Sequence, residues 1–319
     1  MSVDFGDSSD HGYTSIPMSK SSSSTSNTTI PTSEETSFME ELEDISPTAG
    51  LEGIHKSLFD GILNVQKIVK SQYNKLQKGD SAQQYLVFER VSVDDLAEID
   101  RAFNNIGIHT RMTHYTEENL LIVKLPTAEH ERAHGNLAKK VIFKLAQMGL
   151  PDDELDFVGA TRIRGRLSSK EADSAYRPYS FRPNKADWPT IVFEAGLSES
   201  LRRLRLDAKW WLMNSGGAVK TVIIISVKPA QSMVRIEKWE LAPVTGRRPN
   251  TRAFSTLNIP PPPPQTPTPI QVITINPNTV TGAPLVLEFA KIFLRPAVLP
   301  ESDLTFTAQE LSTWAARIW

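Results

Sequence analysis

The chain of 319 residues contains no cysteine. That excludes disulfides, thiolate metal sites and thiol nucleophiles, and it fits an intracellular setting. No apolar run approaches the roughly 20 residues that a membrane-spanning helix needs, so no membrane partner is expected. A basic start followed by an apolar stretch is missing too, so no signal peptide is read. Residues 1–48 are poor in large apolar side chains and in positive charge. Asp4, Asp7, Asp10, Glu34, Glu35, Glu40, Glu41, Glu43 and Asp44 stand there against a single Lys20. Such a Ser/Thr-rich acidic segment buries too little surface to offset its ordering entropy, and a disordered tail is expected.

What is present divides the chain further. The net charge of −2 hides a basic stretch from Arg162 to Lys209, and a basic core behind an acidic tail favours a polyanionic partner, with a solvated surface as the plainer reading. Residues 51–77 have helical periodicity through Ile54, Leu58, Ile62, Val65, Ile68 and Val69. Residues 84–90 suggest a strand, Val93–Asn104 a helix, and residues 108–124 a hairpin, so 51–125 is expected to pack on the core. A long helix from Pro126 to about Met148 opens a core that runs to residue 243. Residues 244–268 are Pro-rich and suggest a polyproline linker or arm. Ile270–Ile275 and Leu285–Leu294 are expected as strands. Thr307–Ile318 is expected as a closing helix with Thr307 as its N-cap.

The core turns on residues 187–227. Pro189–Ala195 is a short apolar strand that carries one acid, Glu194. Gly196 breaks it, and Ser198 or Ser200 is placed to cap the next helix. That helix sets Leu201, Leu204, Ala208, Trp211 and Leu212 on one stripe, with Arg202, Arg205 and Lys209 along its flank. Gly216-Gly217 ends it. Val219–Val227 is then an almost unbroken β-branched run, the pattern of a strand buried on both faces. A carboxylate on a buried strand is costly without a partner, so Glu194 needs a hydrogen-bonded base, a lysine or a metal ion.

From 127 to 227 the expected order is helix, three strands, helix, strand. Asp173 heads the middle strand. This layout, with Lys170-Glu-Ala-Asp173 followed by Ile191-Val-Phe-Glu194-Ala-Gly-Leu-Ser198, resembles the PD-(D/E)XK, or restriction-endonuclease-like, nuclease superfamily. The segments HERAHGNL, VFEAGLSES and DAKWW are similar to those of uncharacterised fungal and bacterial members. The likeness covers about residues 115–230. It implies an α/β (α+β) fold with a mixed central sheet, an αβββαβ core, and extra C-terminal strands and a helix. It also implies a phosphodiester-hydrolysing endonuclease acting on DNA or RNA. Asp173 and Glu194 would bind Mg²⁺ (or Mn²⁺) with the Ala195 carbonyl, and Lys209 would serve as the motif lysine, moved onto the helix. Two positions depart from the pattern: Ala172 stands where the motif has proline, and Gly196 where it has lysine.

Physical chemistry is compatible with that set, because a hard cation activates water and neutralises charge on phosphate. Asp187, the rival first acid, lies seven residues from Glu194 on one extended segment, about 23 Å away, too far to share an ion. Plainer readings stand beside each residue: a turn for Asp173, a structural ion pair for Glu194, a surface lysine for Lys209, a solvated face for Arg202, Arg203 and Arg205. A second motif competes. His130-Glu-Arg-Ala-His134 fits H-E-x-x-H, in which two histidines grip zinc and the glutamate is a general base, with Glu154 as a third-ligand candidate. In the nuclease reading, His130 and Glu131 sit near the metal and orient a phosphate or a water, and Arg202 and Arg205 track nucleic acid. Three functions follow as alternatives: a Mg²⁺-dependent nuclease, a catalytically degenerate nuclease fold that binds nucleic acid or protein, and a zinc peptidase.

Overall fold

The computed structural model describes residues 46–103, 108–151, 153–159, 161–197, 201–243 and 264–318. The expected disordered tail, apart from Ser46–Thr48, lies outside the described residues, as do Ser198, Ser200 and residues 244–263. Ser46–Thr48 itself is docked: the Pro47 carbonyl accepts a 2.7 Å hydrogen bond from Arg203.

The N-terminal half begins with β1 (Lys56–Leu58), α1 (Ile62–Lys78), β2 (Tyr85–Glu89) and α2 (Val93–Phe103). A hairpin of β3 (Arg111–Tyr115) and β4 (Leu120–Lys124) leads to α3 (Ala128–Gln147), β5 (Leu155–Phe157) and β6 (Arg162–Arg164). Next come β7 (Ser168–Glu171), β8 (Ser174–Pro178), β9 (Ile191–Leu197), α4 (Leu201–Asn214) and β10 (Thr221–Lys228). The C-terminal part holds β11 (Met233–Pro243), β12 (Gln265–Asn276), β13 (Thr279–Thr281) and β14 (Leu285–Leu287). It closes with α5 (Phe289–Phe293), β15 (Leu304–Phe306) and α6 (Ala308–Ala315).

The fold is mixed α/β. The larger sheet has seven strands in the order β13-β12-β11-β10-β9-β8-β5. Within it β9 and β10 pair in parallel, joined by α4, and the other pairs are antiparallel. A parallel pair needs such a crossover helix. Period-two alternation sends Ile191, Phe193 and Ala195 of β9 towards α3 and the C-terminal helices, and Val192 towards α4. Both faces of β10 are therefore covered, as its β-branched run implied. Setting aside the β6–β7 hairpin, α3-β5-β8-β9-α4-β10 is the expected αβββαβ order.

That hairpin belongs to a second sheet of six strands, β1-β2-β4-β3-β7-β6. One face of it packs on α1 and α2 through Val65, Phe88, Ile99, Leu121 and Val123. The other, carrying Tyr85, Leu120, Ile122 and Lys124, turns to the larger sheet. The chain crosses between sheets in the two residues Ala172 and Asp173, which separate β7 from β8.

Four local expectations are corrected. β9 runs through Gly196 to Leu197 instead of breaking at the glycine, because both residues stay paired with β10. Residues 56–58 form a parallel strand beside β2 rather than the start of a helix, and α1 begins only after Gly61. Leu285–Leu294 splits into a strand and a short helix, because Phe289, Ile292 and Phe293 bury one helical stripe. Gln265–Thr268, expected within the proline arm, extends β12 against Pro243–Glu240. Thr307 does cap α6, reciprocally with Glu310. No helix among the described residues is long and apolar enough to cross a membrane.

Candidate functional site

Asp173 is placed by the crossing between sheets, and Glu194 by β9, which directs it to the α4 side. Both side chains are buried. They meet around an ammonium group, but that of Lys124 rather than Lys209. Lys124 Nζ lies 2.6 Å from Asp173 Oδ2, 2.6 Å from the Ala195 carbonyl and 3.8 Å from Glu194 Oε2. It comes from the end of β4, where alternation with Leu120 and Ile122 aims it at the larger sheet. Asp173 Oδ2 also accepts from the Ala195 N–H at 2.8 Å and from His130 Nε2 at 3.0 Å. A carboxylate only accepts, so the His130 proton sits on Nε2.

A second lysine completes the cluster. Lys170 Nζ lies 3.1 Å from Asp207 and 3.6 Å from Glu194 Oε1, which also accepts a 2.7 Å hydrogen bond from Trp211 Nε1. Arg203 pairs with Asp207 at 3.2 Å. On α4 the residues facing this cluster are thus Arg203, Asp207 and Trp211, at i, i+4 and i+8. Lys209 is two positions from both Asp207 and Trp211, about 200° round the helix. It lines a separate cavity of about 220 Å³ with Tyr115, Arg166 and Trp210.

Environment separates the two acids. Burial acts to raise Asp173, but His130 and Lys124 outweigh it and hold the carboxyl well below its ordinary range. Burial pushes Glu194 up to about 7, with Lys170 and Lys124 pulling the other way and Asp173 adding to the rise. Burial opposes the charge on Lys124, yet Asp173, Tyr85 and Glu194 together keep its pKa above the usual lysine value.

The expected metal donors, Asp173, Glu194 and the Ala195 carbonyl, therefore converge, and the point of convergence is held by Lys124. Three hard oxygens suit Mg²⁺, but that ion demands near-octahedral ligands at about 2.0–2.1 Å and keeps several waters. The adjoining cavity, bordered by Tyr85, Thr113, Lys170 and Asp207, measures about 10 Å³, room for about one water. With the ammonium in place the residues do not fit a hydrated divalent ion.

The flanking residues named from the sequence are engaged elsewhere. Arg202 pairs with Glu52 at 2.5 Å, and Arg205 makes two bonds to Glu237, at 3.0 and 2.7 Å. His130 is fully buried beneath the start of α3, whereas Glu131 is 46% exposed. Glu154 accepts from Ser180 at 2.7 Å and is absent from the His130–Glu131–His134 group. Sequence reasoning missed Lys124, Lys170 and Asp207. Each had a signal: Lys124 and Lys170 lie on short strands in register with residues that face inward, and Asp207 interrupts an apolar helical stripe four residues after Arg203.

No family model and no curated protein matches the chain. Among solved structures it is similar to one from Anabaena variabilis ATCC 29413, described as a proposed nuclease belonging to DUF820. Identity is 11%, the match covers 70% of this chain and 99% of that chain, and the TM-score is 0.38. At that level the functional reading rests on this chain's own residues.

Proposed function

We propose that this protein is a nuclease-like fold that binds nucleic acid without cleaving it, its acid pair closed by an internal ammonium. The observation that carries this is Lys124 Nζ, bonded to Asp173 and Ala195 and beside Glu194. A lysine that neutralises both acids supplies the electrostatic service of an ion, but it cannot activate water as a Lewis acid does. The cluster then works as a clamp between the two sheets, since Lys124 and Lys170 come from one and Glu194 from the other.

The binding surface on this reading is α1. It carries Lys67, Lys70, Lys75 and Lys78 and no acid. At about 100° per residue these four fall within an arc of about 140°, opposite the buried Val65, Val69 and Leu76. None of the four forms an ion pair among the described residues. The stripe spans about 16 Å along the helix, long enough to follow several phosphates of one strand.

The test is binding and cleavage measured together, with labelled duplex DNA and single-stranded RNA, with and without Mg²⁺ or Mn²⁺. Expected are salt-dependent binding and no strand cleavage. The hydrolytic reading has one observation in its favour: Asp173 Oδ1 is buried without a partner, a donor open to a cation if Lys124 withdraws. Metal-dependent nicking that disappears in Asp173→Asn establishes that reading and overturns ours.

A further inference from the structure

We infer that His130, Glu131 and His134 form a site for one divalent transition-metal ion of the zinc class, bound by two imidazole nitrogens and a carboxylate. This inference stands apart from the function proposed above. Thr127 caps α3 by accepting from the His130 N–H, so the three residues occupy its first turns. The histidines, four apart, share one face, and their rings meet edge-on at 4.9 Å between centroids.

The case rests on two nitrogens that lack proper partners. His130 Nδ1 and His134 Nε2 are buried, and neither makes a hydrogen bond. Each faces Glu131: His130 Nδ1 lies 3.5 Å from Oε1, and His134 Nε2 lies 3.4 Å from Oε2. Those separations exceed a well-formed N–H···O bond. They match two donors of one tetrahedral ion, which at about 2.0–2.1 Å from the metal stand about 3.4 Å apart. All three candidate donor atoms lie within 4.8 Å of one another.

The opposite ring nitrogens are already fixed. His130 Nε2 donates to Asp173 and His134 Nδ1 bonds Ser174 Oγ at 2.8 Å. Metal-ligating histidines are oriented by such outer partners. His130 Nδ1 therefore meets the Glu131 carboxylate across 3.5 Å with no hydrogen bond between them, and a cation placed there takes both as ligands. Glu131 is half exposed and gives the ion an entry path, with a fourth position left for water. In this arrangement Glu131 is a ligand, not the general base of a peptidase.

The full-length protein, stripped with a chelator and dialysed, is titrated with Zn²⁺ and with Co²⁺. We expect one equivalent bound, a visible Co²⁺ spectrum of tetrahedral intensity, and a rise in Tm with zinc. Glu131→Gln, at a half-exposed position that leaves the fold intact by circular dichroism, should weaken zinc at least tenfold. Ser174→Ala should weaken it roughly 10- to 100-fold by releasing His134. Failure of the wild-type protein to bind stoichiometric zinc, or unchanged affinity in Glu131→Gln, overturns the assignment.

Discussion

Replacing Lys124 with methionine keeps the length of the side chain and removes its charge. At an effective dielectric constant near 20, a unit pair at the 2.6 Å of Asp173 attracts by about 6 kcal/mol, and one at the 3.8 Å of Glu194 by about 4. Desolvation of the three buried groups offsets most of that, so the sum is not what an experiment reads. What it reads is the cost of leaving two carboxylates buried without their cation, about 3–5 kcal/mol. That is a large part of the 5–15 kcal/mol typical of a whole domain. The cost depends on pH. Near pH 5, Glu194, whose pKa burial lifts to about 7, is already protonated and has little charge to lose a partner for. About two-fifths of the attraction then drops out, and the loss shrinks to about 2–3 kcal/mol. Urea denaturation of Lys124→Met and wild type at pH 5 and pH 8, read by tryptophan fluorescence, measures both values. A variant within 1 kcal/mol of wild type at pH 8, or one equally destabilised at both pH values, refutes the clamp.

Glu194 supplies a pH profile of its own. Its folded pKa is raised from 4.5 to about 7, so between those values the native state holds a proton that the unfolded chain has released. Its contribution, about 3 kcal/mol, is full below pH 4.5 and lost as pH rises through 7. Glu194→Gln should flatten that slope in stability-versus-pH curves, and an unchanged slope assigns it to another group. Asp173 has the opposite sign: its folded pKa is depressed, so its stabilisation is present above the ordinary carboxylate range and is lost as acid reaches the folded value. Trp211→Phe removes the N–H donated to Glu194 and should cost about 1.5–3 kcal/mol in denaturation; a neutral result means that a water replaces the indole. Changing Lys67, Lys70, Lys75 and Lys78 to Gln should abolish polyanion binding. In the wild type, log K against log salt should have a slope of about −3 to −4 for four phosphate contacts with duplex DNA. A slope that survives the fourfold change sends the search to another face.

How much of this was legible in the chain depends on which interactions are local. The β9-α4-β10 unit could be read because its signals are local: a helical apolar stripe, a Gly-Gly stop, an unbroken β-branched run. The need for a partner at Glu194 was legible too, because a buried carboxylate is costly in any fold. Which partner it takes was not. Lys124 is 70 residues upstream of Glu194 and reaches it only because β4 belongs to a second sheet laid against the first. Nothing in the periodicity of LLIVK says which element its inward face will meet. Lys209 looked suitable by nearness in sequence, but a helix turns it away by the same geometry that brings Asp207 and Trp211 in. The acid partners of Arg202 and Arg205 were hidden for a related reason, since Glu52 and Glu237 lie at distant positions. The lysine-bearing, acid-free outer face of α1, by contrast, was visible from residues 62–78 alone and went unread beside the more basic stretch downstream.

The two-sheet arrangement explains why an ammonium stands in this centre. Asp173 lies on the two-residue crossing from β7 to β8, so the carboxylate that would begin a nuclease motif is also the joint between the sheets. Any element that approaches this joint from the smaller sheet must bring a cation or leave Asp173 and Glu194 in mutual repulsion. β4 brings one at its last residue and β7 brings a second at Lys170, so the smaller sheet is held where it covers the acids. Closure and neutralisation are therefore linked: Lys124 is held by Asp173 and the Ala195 carbonyl, and β4, which carries it, is central in its sheet, paired on one side with β2 and on the other with β3. Displacing it costs far more than turning a side chain. Hence the centre is more economically read as a fastening than as a gate, and cleavage activity requires Lys124 to withdraw from the acids, by its side chain or together with β4.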